Sequence, residues 1–481
     1  MKLRELLNGL TILSSSADLD ADIREVRYDS RAVEAGDLFV AITGAETDGH
    51  KYIPMAREKG AACVVCQTVP EDGTPYVQVA DSRRALAVIS ANRFDHPADE
   101  LTMIGVTGTS GKTTSTYLIK SILEQKAGAK VGLIGTIQNM IGDRVLHTER
   151  TTPESYELQK LLREMADAGC SHVVMEASSH ALYLDRVYGI RYAVGVYTNL
   201  SRDHLDFHHT MEEYCDAKAI LFDNCDVGVY NADDPWHERL LQNARCPRRF
   251  SYAVHTQADL TAKNVQLHPG SVDFDAEADT EWAQVHVDTP ALFTVYNALD
   301  AMACCWNLGV PLAECADALA KSHGVKGRME IIPTPGKSYT ILNDYSHKPD
   351  ALENVLRSVK GFAKGRTVVL FGCGGDRDKT KRPVMGAIAA QLADFVIVTS
   401  DNPRTEKPEA IIADILEGMK DTATPYVTIP DRVEAIHYAM DHAQPGDVII
   451  LAGKGHEDYQ EINHKHYPMD ERVIVAAHLN K

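Results

Sequence analysis

Eight times along this chain a short apolar run breaks off into a polar, glycine- or charge-rich sequence: TGTSGKTT, EASSH, NLSRDHLDFH, NADD, DYSHKPD, GCGGDRD, SDNPR and GKGHE. The runs that precede them, such as LTMIGV, HVVM, YAVGVY and DVIIL, are of strand length and rich in Val and Ile. Helical stretches such as PVMGAIAAQLA separate them. Apolar strands alternating with helices predict an α/β fold of parallel sheets covered on both faces. In open sheets of that kind the ligand crevice lies beyond the carboxyl ends of the strands. The polar sequences therefore predict a functional rim.

At 481 residues the chain is too long for one ordinary core, and about three domains are expected. No fixed repeat or low-complexity linker marks the boundaries, so they come from changes of pattern. Residues 1–98 form a small α/β unit with the runs GDLFVAITG, AACVVC and YVQVA. SANRFDHPADEL is a polar connection. Residues 99–330 hold the first group of strand–helix alternations. Residues 331–481 hold a second, beginning after GVKGRMEIIPTPG.

Charge narrows the function. With 49 Lys+Arg against 68 Asp+Glu, the net charge of −19 repels a phosphodiester backbone and argues against a general nucleic-acid binder. It leaves room for a local basic pocket that takes one phosphorylated small molecule. No apolar run approaches the length of a membrane span, and the N-terminus lacks a signal-peptide core, so a cytoplasmic protein is expected. The ten cysteines are scattered. Cys63 and Cys66 form a single CxxC inside an apolar run, which reads as a buried strand rather than a redox motif. Cys304 and Cys305 are neighbours on a predicted helix and cannot share a metal.

The strand LTMIGV runs into Gly108, Thr109, Ser110, Gly111, Lys112, Thr113 and Thr114, and then into a helix. Glycines let backbone N–H groups turn toward a phosphate, and the helix N-terminus adds its dipole. Lys112 would reach the β/γ-phosphates, and the Thr113 hydroxyl could ligate Mg²⁺. The strict pattern GxxxxGK[ST] fails at Val106. Gly372–Gly375 resembles a dinucleotide loop only loosely, with Arg377 at the third glycine position, so a nicotinamide cofactor is not expected. Glu176 ends a strand, His204 lies in the loop after the next, and Lys218 sits in the helical stretch EEYCDAKAILFD. A carboxylate and an imidazole near phosphates suit Mg²⁺, whereas a protonated lysine cannot bind a metal.

Laid out in this order, the chain resembles the Mur ligases, ATP-dependent amide ligases that build the peptidoglycan stem peptide. The resemblance runs over essentially the whole chain. It is carried by YDSRAVEAGDLFVAITGAETDGH, VTGTSGKTT, TTPES, MEASSHAL, NLSRDHLDFHHTMEEY, AKAILF, YNALDA, GVKGRME, GCGGDRDKTKRP, SDNPR and GKGHEDYQ. It implies a central P-loop ATPase domain flanked by a small N-terminal domain and a C-terminal Rossmann-like domain. It implies ATP and Mg²⁺ as cofactors, and a monomer whose partners are two small molecules: a UDP-N-acetylmuramoyl dipeptide and meso-diaminopimelate. Carried over by position, Ser30 would contact the UDP moiety, and Thr151, Thr152, Ser178 and Arg186 the muramyl peptide. Lys218 would be carbamylated beside the metal with His204, while Glu176 and Thr113 hold Mg²⁺ on the phosphates. Asn297 would meet the adenine, and Arg328 and Asp344 the nucleotide. Arg377, Asp401, Asn402, Pro403, Arg404, Gly453 and Glu457 would grip the incoming amino acid. The chain departs from the family pattern at Ser110, at Leu184 (usually a Gln that contacts the acceptor), in ALFTVYN and in NDYSHKP.

The choice of amine turns on Arg404. Diaminopimelate differs from lysine by a second carboxylate at the far end, and a guanidinium matches a carboxylate as a fork. Asn402, Arg377 and Glu457 would complete a zwitterion trap, with Glu457 taking the ammonium. Two other classes compete: a folylpolyglutamate-synthetase-like ligase, which has no use for the N-terminal unit or DNPR, and a non-catalytic nucleotide-dependent scaffold, which has no use for Lys112, Glu176, His204 and Lys218 together. Lysine is the competing amine.

Overall fold

In the computed structural model, which describes residues 1–44, 47–279, 281–322 and 324–480, the apolar runs become strands. Close contacts divide the chain into two compact units, 1–251 with 303–308 and 252–302 with 309–481.

The first unit opens with a five-stranded sheet. Its strands are β1 (Ile12–Ser15), β2 (Val26–Arg27), β3 (Leu38–Val40), β4 (Cys63–Cys66) and β5 (Tyr76–Val79), in the order β1-β5-β4-β3-β2. All residues of β4 are buried, so Cys63 and Cys66 serve as small core hydrophobes. The helix Ser82–Arg93 starts on Asp81, whose carboxylate accepts from the N–H groups of Arg83 and Arg84.

The next sheet contains β6 (Thr102–Thr107), β7 (Val131–Ile134), β8 (Asn139–Ile141), β9 (Arg144–Leu146), β10 (His172–Glu176), β11 (Tyr192–Tyr197) and β12 (Cys225–Asn231). The order is β12-β11-β6-β10-β7-β8-β9, parallel from β12 to β7 and antiparallel in the β7-β8-β9 meander. β6 thus has a neighbour on each side, and the loops after β6, β10 and β11 leave the sheet together. The helices Lys112–Lys126, Ser155–Asp167 and Met211–Asp223 carry the chain back. A core of Met103, Leu158, Leu162, Met175, Tyr192 and Phe222, among others, lies between sheet and helices.

The chain crosses into the second unit within β13 (Arg248–Ala253) and continues through β14 (Leu260–Leu267), β15 (Val272–Ala278) and β16 (Glu281–Val287). The β14-β15-β16 meander is antiparallel. It departs from the all-parallel expectation, although VDFDAEA alternates buried and half-buried side chains in strict period two. Cys304 and Cys305 are buried on the helix Leu292–Asn307.

The C-terminal sheet of the second unit comprises β17 (Glu330–Ile332), β18 (Thr340–Asp344), β19 (Thr367–Phe371), β20 (Phe395–Val398), β21 (Tyr426–Thr428) and β22 (Val448–Ala452). Its order is β17-β18-β22-β19-β20-β21, parallel except for β17. Apolar cores cover both faces, one around Leu342, Val369 and Ile450, the other around Ile341, Leu370 and Ile449. Odd and even residues of one strand feed opposite cores, which is why these strands read as unbroken apolar runs. A hairpin, β23 (Tyr459–Ile462) with β24 (Lys465–Pro468), follows the last parallel strand.

All eight polar sequences singled out above begin at the carboxyl end of a strand.

Candidate active site

Gly108 follows β6 with φ +147°, and a Cβ there would lie 1.8 Å from Thr198 Oγ1. Only glycine lets the loop pass this close to β11. The loop is tied to the residues after β11 on several sides. Thr109 N donates to Asn199 O at 2.9 Å, Ser110 N donates to Asn199 Oδ1 at 3.1 Å, and Thr198 Oγ1 donates to Ser110 O at 2.6 Å. Ser110, a departure from the family pattern, makes these contacts through its backbone, so its side chain is not required for them. Lys112 opens the helix and donates Nζ to Gly108 O (2.8 Å) and Thr109 O (3.0 Å). The start of a helix is the ordinary basis of an anion site.

Glu176 ends β10 and is buried. Its Oε1 accepts from Thr113 Oγ1 (3.0 Å) and Thr136 N (2.9 Å), and its Oε2 accepts from Thr136 Oγ1 (3.0 Å). Thr136 Oγ1 lies 3.0 Å from Thr151 Oγ1. Thr152 Oγ1 donates to Glu176 O at 2.7 Å and accepts from Ser178 N at 3.1 Å. Arg186 reaches Thr152 O through Nη1 at 3.3 Å and pairs with the buried Glu154 at 3.2 Å. Thr151, Thr152, Ser178 and Arg186 are thus gathered around the carboxylate that meets the phosphate loop. Ser30 is not part of this cluster: it is buried in the five-stranded unit, with Oγ 3.5 Å from Met55 Sδ. Leu184 offers its backbone carbonyl to Arg83 at 3.4 Å.

Lys218 is fully buried in the helix Met211–Asp223, and its Nζ donates to Gly108 O at 2.8 Å. The same Nζ lies 4.4 Å from the centre of the Tyr214 ring. His204 has φ +52° and sits 4.8 Å from the His180 ring and 6.1 Å from Tyr214, ring centre to ring centre. Lys218 and His204 therefore adjoin one tyrosine, whose hydroxyl lies 3.2 Å from Thr109 Oγ1. Sequence reasoning missed Thr136, Thr198 and Tyr214. Their signal is positional, since Thr136 and Thr198 stand just past the ends of β7 and β11.

Among the described residues no group of three or more His, Cys, Asp or Glu side chains forms a ready metal cage. What exists at Glu176 and Thr113 is a carboxylate and a hydroxyl sharing one hydrogen bond, an all-oxygen pair. That donor set suits Mg²⁺, which keeps several waters and is bound through one or two carboxylates plus substrate phosphates.

The second unit holds another cluster. Asn402 Nδ2 donates to Glu457 Oε2 at 3.0 Å, and Lys454 Nζ donates to Asn402 Oδ1 at 2.9 Å and pairs with Glu457. Gly453 has φ +112°, and a Cβ there would lie 2.8 Å from Asp401 Oδ2. Arg404 has φ +50°; Nε donates to Glu461 Oε2 at 2.8 Å and Nη1 to Gly375 O at 2.9 Å. Pro403 lies between them with its carbonyl against Gly375. Arg404 does not pair with Glu406, which is held by Arg382 at 2.8 Å and Lys379 at 3.2 Å. Arg377 is exposed and donates to Asp376 O at 3.0 Å, so the cluster forms without it.

Three further residues were expected at the nucleotide. Asn297 is buried in the helix Leu292–Asn307. The Arg328 guanidinium lies 4.9 Å from the Tyr345 ring centre. Asp344, at the end of β18, accepts from Met329 N at 2.8 Å and from Ser346 Oγ. Burial pushes its carboxyl up, against the opposing pull of those donors and Arg328.

Family models match in three places: the Mur ligase middle domain over residues 106–305, the Mur ligase glutamate ligase domain over 327–455, and the Mur ligase family catalytic domain over 22–94. Over 482 residues the chain is 46% identical to the UDP-N-acetylmuramoyl-L-alanyl-D-glutamate–2,6-diaminopimelate ligase of Clostridium tetani, covering 99% of this chain and 98% of that one. The chain belongs to the Mur ligase family. A Mur ligase of the same description from Clostridium botulinum is 46% identical over 460 residues, 94% of each chain. A solved structure of such a diaminopimelate ligase superposes with a TM-score of 0.73 at 32% identity, covering 100% of this chain and 99% of that one. Among the described residues, no helix of this Mur ligase is long and apolar enough to cross a membrane.

Proposed function

We propose that this Mur ligase is an ADP-forming ligase that joins meso-diaminopimelate to the D-glutamate of UDP-N-acetylmuramoyl-L-alanyl-D-glutamate, as a cytoplasmic step of peptidoglycan precursor synthesis. The observation that carries the reading is the cluster in which Glu461 links Arg404 to Asn402 and Asn402 bonds Glu457, setting a guanidinium and a carboxylate in one site as an amino-acid zwitterion requires. The 46% identical relatives named for this reaction support it.

A carboxylate is a poor electrophile, so it must be activated. An oxygen of the acceptor's γ-carboxylate attacks the γ-phosphorus of ATP, and the bond from that phosphorus to the bridging oxygen breaks to release ADP. Lys112 and the loop N–H groups stabilise the charge that gathers on the phosphoryl oxygens. Mg²⁺, held through Glu176 and Thr113, supplies further neutralisation of the phosphates when bound. Thr151, Thr152, Ser178 and Arg186 orient the acceptor, with Ser30 toward its uridine end. Asn297, Arg328 and Asp344 serve the nucleotide. The amine then attacks the acyl carbon, the carbon–oxygen bond to phosphate breaks, and amide, phosphate and a proton are released. Arg404 takes the distal carboxylate of the amine and Glu457 its ammonium, with Asp401, Pro403 and Gly453 shaping the pocket and Arg377 at its edge.

Carbamylated Lys218 belongs to the same proposal. Its buried Nζ keeps one hydrogen after carbamylation, so the bond to Gly108 O can persist while an ammonium is replaced by an anion beside His204. We assign residues 1–98 to the nucleotide-sugar, 99–330 to ATP and 331–481 to the amine.

An ADP-coupled assay with UDP-muramyl dipeptide and a panel of diamino acids tests the reading. The expected result is ADP release that depends on acceptor and amine together, fastest with meso-diaminopimelate. Release no greater than background with every amine overturns it, and a preference for lysine overturns the role of Arg404.

A further inference from the structure

The GKGHE turn after β22 carries a lysine for which the chemistry above has no use. Lys454 is completely buried, an expensive place for an ammonium unless its donors are met. They are met within the amine site. Nζ donates to Asn402 Oδ1 at 2.9 Å, pairs with Glu457 Oε2 and lies 5.1 Å from the Tyr459 ring centre. Asn402 Oδ1 also accepts from Glu461 N at 2.9 Å, while Nδ2 donates to Glu457 Oε2 at 3.0 Å. A flipped Asn402 would turn its NH₂ toward two donors, so Lys454 and the hairpin leave the amide a single orientation. On Glu457, Oε2 is taken by two donors, whereas among the described residues Oε1 has only the long contact from Tyr345 Oη at 3.4 Å.

We infer that Lys454 is a positioning residue of the amine site: it locks the Asn402 amide and the Glu457 carboxylate in one arrangement, so that Glu457 Oε1 is presented to the ammonium of the incoming amino acid. The inference rests on the proposed function and adds to it a residue that never touches the amine. Removing the cation takes from Asn402 Oδ1 and from Glu457 Oε2 one of the two donors that hold each, so the loss appears in amine binding.

The test is Lys454→Met, which keeps length and removes charge. With saturating ATP and acceptor, the Michaelis constant for meso-diaminopimelate should rise about tenfold or more, as expected for lost hydrogen bonds to charged groups. The constants for ATP and UDP-muramyl dipeptide should stay within about twofold of wild type, since neither contacts this cluster. An unchanged amine constant, or an equal rise in all three, overturns the inference. Should Lys454→Met fail to fold, a crystal structure of the wild-type protein with meso-diaminopimelate decides. The ammonium should sit on Glu457 Oε1 with Lys454 still on Asn402 Oδ1. An ammonium that has displaced Lys454, or that bonds elsewhere, overturns it. Wild-type protein inactive with every amine removes the functional reading and this inference together, whereas active wild type with an indifferent Lys454→Met removes the inference alone.

Discussion

One methyl group at Gly108 would occupy the space of Thr198 Oγ1, 1.8 Å from the new carbon. Gly108→Ala must push the loop away from β11 and Lys112 with it, and a displacement of about 1 Å at a reacting group costs on the order of a hundredfold. Steady-state kinetics should show that loss in kcat/KM for ATP. Arg404→Ala should lower kcat/KM about a hundredfold for diaminopimelate and far less for lysine, because only the former brings an anion to the guanidinium. Equal losses for the two amines would remove the specificity argument. The residue types were legible in the sequence: the loop, Glu176, Lys218 and the DNPR arginine all stand in chemically meaningful places. Their partners were not. Arg404 has Glu406 two residues away, yet its left-handed backbone sends the side chain to Glu461, 57 positions on. Nε and Nη1 are thereby committed to Glu461 and Gly375, so the role proposed for Arg404 would rest on its Nη2 edge rather than on an open fork.

The strand ends that form the rim were readable because parallel strands, buried on both faces, leave unbroken apolar runs. The hairpin β23-β24 was not, since its residues are half-buried or exposed and carry no alternation. Its place is set by docking: Arg404 N donates to Glu461 O at 3.1 Å and Asn463 N to Arg404 O at 2.9 Å. The helices Arg432–Asp441 and Glu471–Leu479, which flank the same sheet, are joined by a wholly buried ion pair, Arg432 to Glu471 at 2.8 Å. Arg432 also donates to Ala452 O at 2.9 Å and to Ser400 O at 3.3 Å, tying the helix pair to the ends of β22 and β20. Glu471→Gln leaves that guanidinium without its anion and should cost about 3–5 kcal/mol in urea unfolding. The double change Arg432→Met with Glu471→Leu should recover most of it, because a packed apolar pair needs no desolvation. A Glu471→Gln protein as stable as wild type would show that the backbone carbonyls alone satisfy Arg432.

Across the whole molecule, two partly buried histidines should make acid destabilising. Burial holds His347 down to about 4 and His456 down to about 3, and neighbouring cations push each in the same direction. An unfolded chain takes up these protons near pH 6.5, so below that pH it binds more protons than the native state and stability falls. The contribution is complete above about pH 6.5 and is lost progressively as pH falls toward those two depressed values. Thermal melts between pH 7.5 and 5 should show a declining midpoint. His347→Gln, which keeps a donor for Tyr345 O without a titrating ring, should flatten the decline, and an unchanged slope would exclude His347 as its source. The placement of β6 between β10 and β11 has one more consequence. Glu176, Thr198 and Asn199 reach the phosphate loop from strand ends, so alignment along the sheet, not the contour length of the intervening chain, decides whether these groups converge. Extra residues spliced into the exposed turn at Gly169, before the amino end of β10, would lengthen the path from Lys112 to Glu176 and leave their separation untouched.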